Sequence, residues 1–318
     1  MAKDPQHTDT PLQVTGEYGP SARLFVRNVV PPRPDGLPLV LVHGAGVDSS
    51  FYDSLAACAP ARRIVAYDRR GCGQSSDALD DDWSLDAQAR DLASVIRAAG
   101  GRADVVAHSL GAVVALRLLE RAPRLFRRLV AYEPPVFCGL DPDDEVFANI
   151  ERARKALARH RSSTALYLTT QRESIGEPVV PYSERELQCR ERNMQTSFSR
   201  ETWAFDYAPD YDAIRGSGVP VLLCIGRQSD ATYHARNLDF LCQGFGATSA
   251  VMPGGHNGPR DYPGEVSAAI LDWLRSSPRT RAQGSCNPRT RHVATRIAAL
   301  ATVRRARRAC MPWPSHGA

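Results

Sequence analysis

The chain has 318 residues, 43% of them hydrophobic, which is enough to bury one substantial core. No apolar run approaches the roughly 18 residues that a membrane-spanning helix needs, and the polar N-terminus lacks the apolar segment of a signal peptide. The eight cysteines include no CxxC pair and no Cys/His spacing typical of a metal site. We therefore expect a soluble cytoplasmic protein with reduced thiols and with no metal or organic cofactor.

The net charge of +5 at neutral pH comes from one end of the chain. Residues 278–318 contain nine arginines and no acidic residue, which leaves a net charge of −4 on residues 1–277. The acidic body gives no reason to expect a nucleic acid partner. We expect the tail, residues 278–318, to be poorly ordered, and its sequence identifies no partner. The alternative is a basic amphipathic helix over 293–309 that binds anionic membranes or acidic proteins.

Short apolar runs predict buried strands, and periodic segments between them predict helices. The strands are expected at 38–43, 63–68, 103–108, 128–132, 220–226 and 247–252. The helices are expected at 84–99, 110–121, 232–242 and 261–276. Apolar strands that alternate with helices indicate an α/β fold, in which a mostly parallel central sheet is flanked by helices on both faces.

The functional groups of such a sheet lie on loops beyond the carboxyl ends of its strands. Several polar side chains stand at or just after predicted strand ends: His43, Asp68, Ser109, Glu133, Asp230 and His256. We expect His43 to bond nearby backbone and Asp68 to brace the adjacent loops, so neither is assigned a chemical role. The other four are the candidates for chemistry.

The alternation of strands and helices stops between about residues 134 and 217. This segment is too long for a plain connection within a compact domain, and it combines charged helical stretches with an aromatic cluster. We expect a helical lid insert that lies over the edge of the sheet and covers a pocket. The predicted organisation is a main domain over 1–277, with the lid at 134–217, followed by the basic tail.

The stretch VVAHSLGAVVALRLL, residues 105–119, places Ser109 between a predicted strand and a predicted helix. Small residues at Ala107 and Gly111 allow a sharp reversal, which presents Ser109 at the tip of the turn. The Leu110 N–H and the helix dipole then face any negative charge that develops there. This pattern is typical of a nucleophile elbow, with Ala107 in place of the usual first glycine. The alternative is a buried turn in which Ser109 only caps the helix.

Four further motifs give residues from about 22 to 276 a resemblance to the serine-nucleophile members of the α/β-hydrolase superfamily. LVHGAG at 41–46 resembles the family's oxyanion loop, and DRRGCGQS at 68–75 resembles its D-x-R-G-x-G-x-S loop. IGRQSD at 225–230 resembles the turn that carries the acid of a catalytic triad, and PGGH at 253–256 resembles the turn that carries the histidine. The motifs occur in the family's order of serine, acid and histidine.

The resemblance assigns roles to individual residues. Ser109 is the nucleophile, and His256 is the base that activates its hydroxyl. Asp230 is expected to orient His256, because it follows the strand from which the family usually supplies the acid. Glu133, in the motif YEPP after the preceding strand, is the rival acid. The backbone N–H groups of Ala45 and Leu110 are expected to form the oxyanion hole.

The sequence therefore predicts a serine hydrolase that cleaves a small or medium carboxylic ester through an acyl-enzyme. Thioesterase, lactonase, carbon–carbon bond hydrolase and cofactor-free perhydrolase activities stay open, because they use the same triad. A second class of hypothesis is a non-catalytic small-molecule receptor on the same fold. A third takes the basic tail as an interaction module, which deletion of residues 278–318 would test.

Overall fold

One eight-stranded sheet organises the computed structural model, which describes residues 6–16, 19–159 and 178–276. The strand order is β1-β2-β4-β3-β5-β6-β7-β8. The strands are β1 Gln6–Gly16, β2 Gly19–Val30, β3 Leu39–Val42, β4 Ile64–Tyr67, β5 Ala103–His108, β6 Phe126–Tyr132, β7 Val221–Gly226 and β8 Thr248–Met252. Strands β3 to β8 are parallel to one another. Strands β1 and β2 form an antiparallel hairpin, and β2 pairs with β4 in the antiparallel direction.

The central strands are buried along their whole length. Every residue of β3, β4, β5 and β7 is buried. A parallel strand that is covered on both faces needs apolar side chains on both, and this explains the continuous apolar runs in the sequence. The edge strand β8 differs, because four of its five residues are at least partly exposed. The predicted mostly parallel α/β sheet is confirmed.

The sequence analysis did not predict the hairpin of β1 and β2, and the composition of β1 explains why. β1 reads QHTDTPLQVTG, in which polar residues predominate and Pro11 interrupts the run. An edge strand leaves one side of its backbone to solvent, so it needs neither an unbroken apolar run nor every N–H group. Pairing with β2, and not burial, therefore defines this strand.

Helices cover the sheet on both sides. The described helices are α1 Asp53–Ala57, α2 Leu85–Ala98, α3 Leu110–Arg121, α4 Glu145–Arg159, α5 Glu184–Arg200, α6 Tyr211–Gly216, α7 Tyr233–Phe245, α8 Gly258–Asp261 and α9 Pro263–Arg275. Helices α1 and α9 pack on one face, where Leu55 and Ile270 join Leu41 and Val130 in a shared apolar core. Helices α2 and α3 pack on each other and contact the strands separately. No described helix is both long and apolar enough to cross a membrane.

Three of the described helices, α4, α5 and α6, lie between β6 and β7, in the segment predicted as a lid. Helix α5 begins with a capping box, in which Ser183 and Glu186 exchange side-chain hydrogen bonds with each other's backbone N–H. Residues 160–177 of the lid and the tail at 278–318 lie outside the described residues. The described part of the lid is largely helical, and the division into main domain, lid and tail stays a prediction.

Helix α5 lies against the loops that follow β3 and β4. The Asn193 amide bridges both loops, because it donates to the Val47 carbonyl and accepts from the Gly73 N–H, each at 3.1 Å. Thr196 donates to the Gly71 carbonyl at 2.8 Å. These contacts hold α5 against the loops at the carboxyl ends of β3 and β4.

Candidate active site

Ser109 occupies a strained turn between β5 and α3. Its φ of 51° and ψ of −124° lie in a region that side-chain-bearing residues rarely adopt. A Cβ at Gly111 would lie 2.4 Å from the His43 carbonyl oxygen, so the turn requires glycine there. The Ser109 side chain makes no cap hydrogen bond to α3, which removes the main support for the alternative that it only caps the helix. The serine is half-buried, and its hydroxyl is available at the tip of the turn.

His256 follows β8 and pairs with a carboxylate. Its Nδ1 lies 2.7 Å from Oε2 of Glu133, and both residues are buried. The His256 backbone carbonyl accepts a hydrogen bond from Nε2 of His108 at 2.7 Å. Because His108 directly precedes Ser109 and its ring centroid is 4.5 Å from that of His256, the His256 imidazole lies at the same end of the parallel strands as Ser109.

No hydrogen bond joins Ser109 to His256 within the part of the chain that the structure describes. Nε2 of His256, the nitrogen left over by the Glu133 contact, makes no hydrogen bond to any described residue. In ligand-free sites the bond between nucleophile and base is often long and forms only with substrate. The arrangement therefore leaves a serine hydroxyl and an imidazole nitrogen free on the same side.

The prediction that Asp230 orients His256 is corrected by this geometry. Asp230 ends a short turn after β7, its side chain is exposed, and it makes no contact with His256 in the described structure. The neighbouring Ser229 is the buried residue of that turn, so the turn directs Ser229 inward and Asp230 outward. The rival acid, Glu133, is the carboxylate that His256 contacts.

Glu133 is held ionised by its surroundings. Burial by itself raises the pKa of its carboxyl, but the imidazoles of His234 and His256 more than offset this and lower it to about 2. Its second oxygen, Oε1, accepts the Gly226 N–H at 2.8 Å. A carboxylate at neutral pH can only accept hydrogen bonds, so it fixes the proton of His256 on Nδ1. In the neutral tautomer with its proton on Nδ1, His256 carries a lone pair on Nε2 and can act as a base there.

Two further buried histidines surround this pair. His234, on α7, places Nε2 3.9 Å from Oε2 of Glu133, and burial lowers its pKa to about 3. Burial and then the His256 charge lower the pKa of His108 well below its ordinary value. Sequence reasoning missed His234, because it lies within a helix and not at a strand end. Burial therefore favours the neutral form of both histidines.

Glu133, His234 and His256 also form a cluster whose possible ligand atoms lie within 4.8 Å of one another. Two ligands of one tetrahedral zinc ion, each about 2.0–2.1 Å from the metal, lie roughly 3.3 Å apart. The 2.7 Å between Glu133 and His256 is shorter than this and is typical of a charge-assisted hydrogen bond. The cluster therefore fits a catalytic acid–base pair better than a metal site.

The predicted oxyanion donors lie beside the serine. A Cβ on Gly44 would come within 2.9 Å of the Ser109 Cβ, so the loop after β3 contacts the elbow closely and needs glycine to do so. Neither the Ala45 N–H nor the Leu110 N–H donates to another described residue. As expected, His43 serves the backbone: its Nε2 accepts the Arg69 N–H at 2.9 Å, and its Nδ1 lies 2.8 Å from the Gly44 carbonyl oxygen.

Comparison with known proteins gives this geometry a family context. The model of the alpha/beta hydrolase family matches residues 39–269, most of the chain. A curated relative from Enterobacter cloacae subsp. cloacae, RutD, is named for a proposed carbamate hydrolase activity. It is 38% identical over 106 residues, which are 32% of this chain and 40% of that protein. The chain therefore matches only about two fifths of that relative's length.

Two solved structures share the fold. An alpha/beta hydrolase from Sphaerobacter thermophilus has a TM-score of 0.64 and 21% identity, and the match covers 83% of this chain and all of that one. A thermophilic esterase from Thermogutta terrifontis has a TM-score of 0.62 and 20% identity, with 84% of this chain and 98% of that one covered. At these identities the likeness establishes the fold alone.

Proposed function

This chain belongs to the alpha/beta hydrolase family, and on that premise we propose that it is a serine hydrolase whose triad is Ser109, His256 and Glu133. The observation that carries the proposal is the 2.7 Å hydrogen bond between His256 and the buried Glu133 beside a strained serine turn. The acid thus differs from the Asp230 that the sequence favours. The proposed nucleophile and base are those expected from the sequence.

The proposed reaction begins with proton transfer from the Ser109 hydroxyl to Nε2 of His256 as the serine attacks a carbonyl carbon. Glu133 stabilises the imidazolium that forms, and it does so without accepting the proton. The N–H groups of Ala45 and Leu110 receive the oxyanion of the tetrahedral intermediate. His256 then protonates the leaving group, and a water molecule activated by His256 releases the acyl group from Ser109.

The proposed substrate is a small or medium carboxylic ester. A carbamate is the second candidate, because the relative from Enterobacter cloacae is named for that activity. Both substrates present a carbonyl carbon with a heteroatom leaving group, so one triad serves either. An ester panel and a carbamate panel, compared by kcat/KM, distinguish the two.

Labelling with a fluorophosphonate probe tests the proposal whichever substrate the protein cleaves, because the probe reacts with any activated serine. Wild-type protein is expected to label rapidly, while Ser109→Ala and His256→Ala lose labelling, the first because the nucleophile is gone and the second because its base is gone. The folded state of each variant is checked by circular dichroism. A folded wild-type protein that does not label would overturn the hydrolase proposal and favour the small-molecule receptor.

A further inference from the structure

Arg69 is a fully buried arginine that the proposed reaction does not use. It stands in the loop after β4, and its side chain has no exposed surface. Each of its N–H groups has an acceptor among the described residues, and these acceptors come from separate parts of the chain. They are the carbonyls of His43 and Gly44, the side chain of Gln88 and the carboxylate of Glu201.

Two of these hydrogen bonds reach the loop that carries a proposed oxyanion donor. Nε of Arg69 donates to the His43 carbonyl at 3.1 Å, and Nη2 donates to the Gly44 carbonyl at 3.2 Å. The Gly44 carbonyl and the Ala45 N–H belong to one planar trans peptide, so they point in opposite directions. An anchor on the carbonyl therefore fixes the direction of the N–H.

The opposite side of the guanidinium is held by the lid. Glu201 directly follows α5 and is 1% exposed. Its carboxylate accepts hydrogen bonds from Nη1 and Nη2 of Arg69, the second at 3.2 Å. Gln88 of α2 donates to the same carboxylate at 2.5 Å and accepts from Arg69 at 2.9 Å. Although burial raises the pKa of Glu201, the Arg69 charge lowers it overall, so the carboxylate is ionised. A buried guanidinium without this partner would carry an uncompensated charge.

We propose that Glu201 is a positioning residue for the oxyanion hole, because it holds the Arg69 guanidinium that fixes the Gly44 carbonyl. The docking of the lid helix α5 then sets the direction of the Ala45 N–H through a chain of two side chains. The inference rests on the proposed serine hydrolase function. It gives the contact between Glu201 and Arg69 a catalytic consequence, and none of the sequence motifs includes Glu201.

The same loop supplies a matched control. Arg70 and Asp91 form a second buried pair, in which Arg70 donates through Nε at 2.7 Å and through Nη2 at 2.8 Å. The remaining side-chain contacts of Arg70 with described residues go to Ser21, to the Asp82 carbonyl and, at 3.9 Å, to the Asp80 carboxylate, and none goes to the oxyanion loop. Loss of charge at Asp91 therefore tests a general stability effect without touching the Gly44 carbonyl.

The experiment compares Glu201→Gln with Asp91→Asn in the full chain. It measures the rate constant of fluorophosphonate labelling, the inhibition constant of an aryl trifluoromethyl ketone, and Tm. The ketone adds Ser109 to form a tetrahedral oxyanion, and the fluorophosphonate loses fluoride to Ser109 while its phosphoryl oxygen accepts from the same N–H donors. We therefore expect Glu201→Gln to label about tenfold more slowly and to bind the ketone about tenfold more weakly. Both variants lose one buried charge, so we expect Asp91→Asn and Glu201→Gln to lower Tm by similar amounts. Asp91→Asn is expected to leave both probe constants within about twofold of wild type.

A double variant covers the case in which Glu201→Gln fails to fold. Arg69→Met with Glu201→Met removes both buried charges together, which proteins often tolerate, and it is expected to show the same slow labelling. Labelling of Glu201→Gln at the wild-type rate, or an equal loss in Asp91→Asn, would overturn the inference and leave the proposed function standing. A folded wild-type protein that does not label would overturn both.

Discussion

The turns that follow β6 and β7 each carry one carboxylate, and the two carboxylates lie in opposite environments. Glu133 is 1% exposed, contacts His256 and accepts a backbone N–H, whereas Asp230 is exposed on the outside of its turn. The strands are neighbours in a parallel sheet, so either turn could present an acid to the same histidine. The direction of the side chain, and not the choice of strand, therefore decides which carboxylate contacts His256.

The backbone of the two turns explains the difference. Glu133 has a φ of 43°, an unusual value for a residue with a side chain, and its N–H donates to the Cys224 carbonyl of β7 at 3.0 Å. Two prolines follow it and restrict the chain. Asp230 has an ordinary helical φ of −61° in a short helical turn. The strained turn points its side chain across β7 towards His256, and the relaxed one leaves its side chain in solvent.

Removal of the Glu133 charge is the largest test of this comparison. In Glu133→Gln, an amide replaces the carboxylate that, in the proposed triad, fixes the His256 tautomer and stabilises the imidazolium. We expect kcat for an ester substrate to fall by about 10³- to 10⁴-fold, as for the corresponding substitution in a serine protease triad. Steady-state kinetics and fluorophosphonate labelling measure it. Activity within tenfold of wild type would show that Glu133 is not the acid.

Gly226, the last residue of β7, lies between the turn that carries Glu133 and the turn that carries His256. Its N–H donates to Glu133, and its Cα faces Gly254 and Gly255, which precede His256. A Cβ at this position would lie 2.6 Å from the Gly254 carbonyl oxygen, so that backbone must move in Gly226→Ala. We expect a loss of roughly 1–3 kcal/mol in the free energy of unfolding, together with reduced activity. Denaturant unfolding measures the first quantity.

Gly264→Ala is the matched control, since a Cβ there would meet nothing within 4 Å and the residue lies in α9. We expect it to unfold at the same denaturant concentration as wild type or a higher one, because alanine favours a helix over glycine. Equal stability of the two alanine variants would argue against close packing between the turns.

The acid arm of the stability profile is expected to depend on Glu133. Its pKa is about 2 in the folded protein, below the ordinary 4.5, so its ionised form stabilises the fold above pH 4.5. This contribution is lost as the pH falls from 4.5 towards 2. The difference in free energy of unfolding between wild type and Glu133→Gln should therefore shrink over that window. A difference that is constant between pH 6 and pH 3 would contradict the lowered pKa.

Asp230→Asn is expected to have the smallest effect. The side chain is exposed and makes no contact with His256 in the described structure, so kcat/KM should stay within about twofold of wild type. The same assay as for Glu133→Gln measures it. A loss of a hundredfold or more would reverse the comparison and restore Asp230 as the acid.

Much of the fold and part of the site could be predicted from residues alone. The apolar runs located β3 to β7, because strands buried on both faces need continuous apolar side chains. Ser109 stands in a short motif whose Gly111 would bring a Cβ within 3 Å of neighbouring backbone, and His256 follows Gly254, whose φ is 77°. Local sterics leave few residues that fit such turns. The polar edge strand β1 lacked an equivalent local signal.

The residues alone indicated that a serine and a histidine lie at the carboxyl edge of a parallel sheet, since strand positions and turn sterics are local properties. Which carboxylate contacts the histidine depends on the tertiary structure. That choice depends on the strained backbone of Glu133 and on a hydrogen bond from Gly226, 93 residues away in the chain. The tertiary structure likewise brings Glu201, which follows α5, into contact with Arg69, 132 residues away in the chain. Contacts between distant segments depend on packing, and spacing along a single sequence does not encode them.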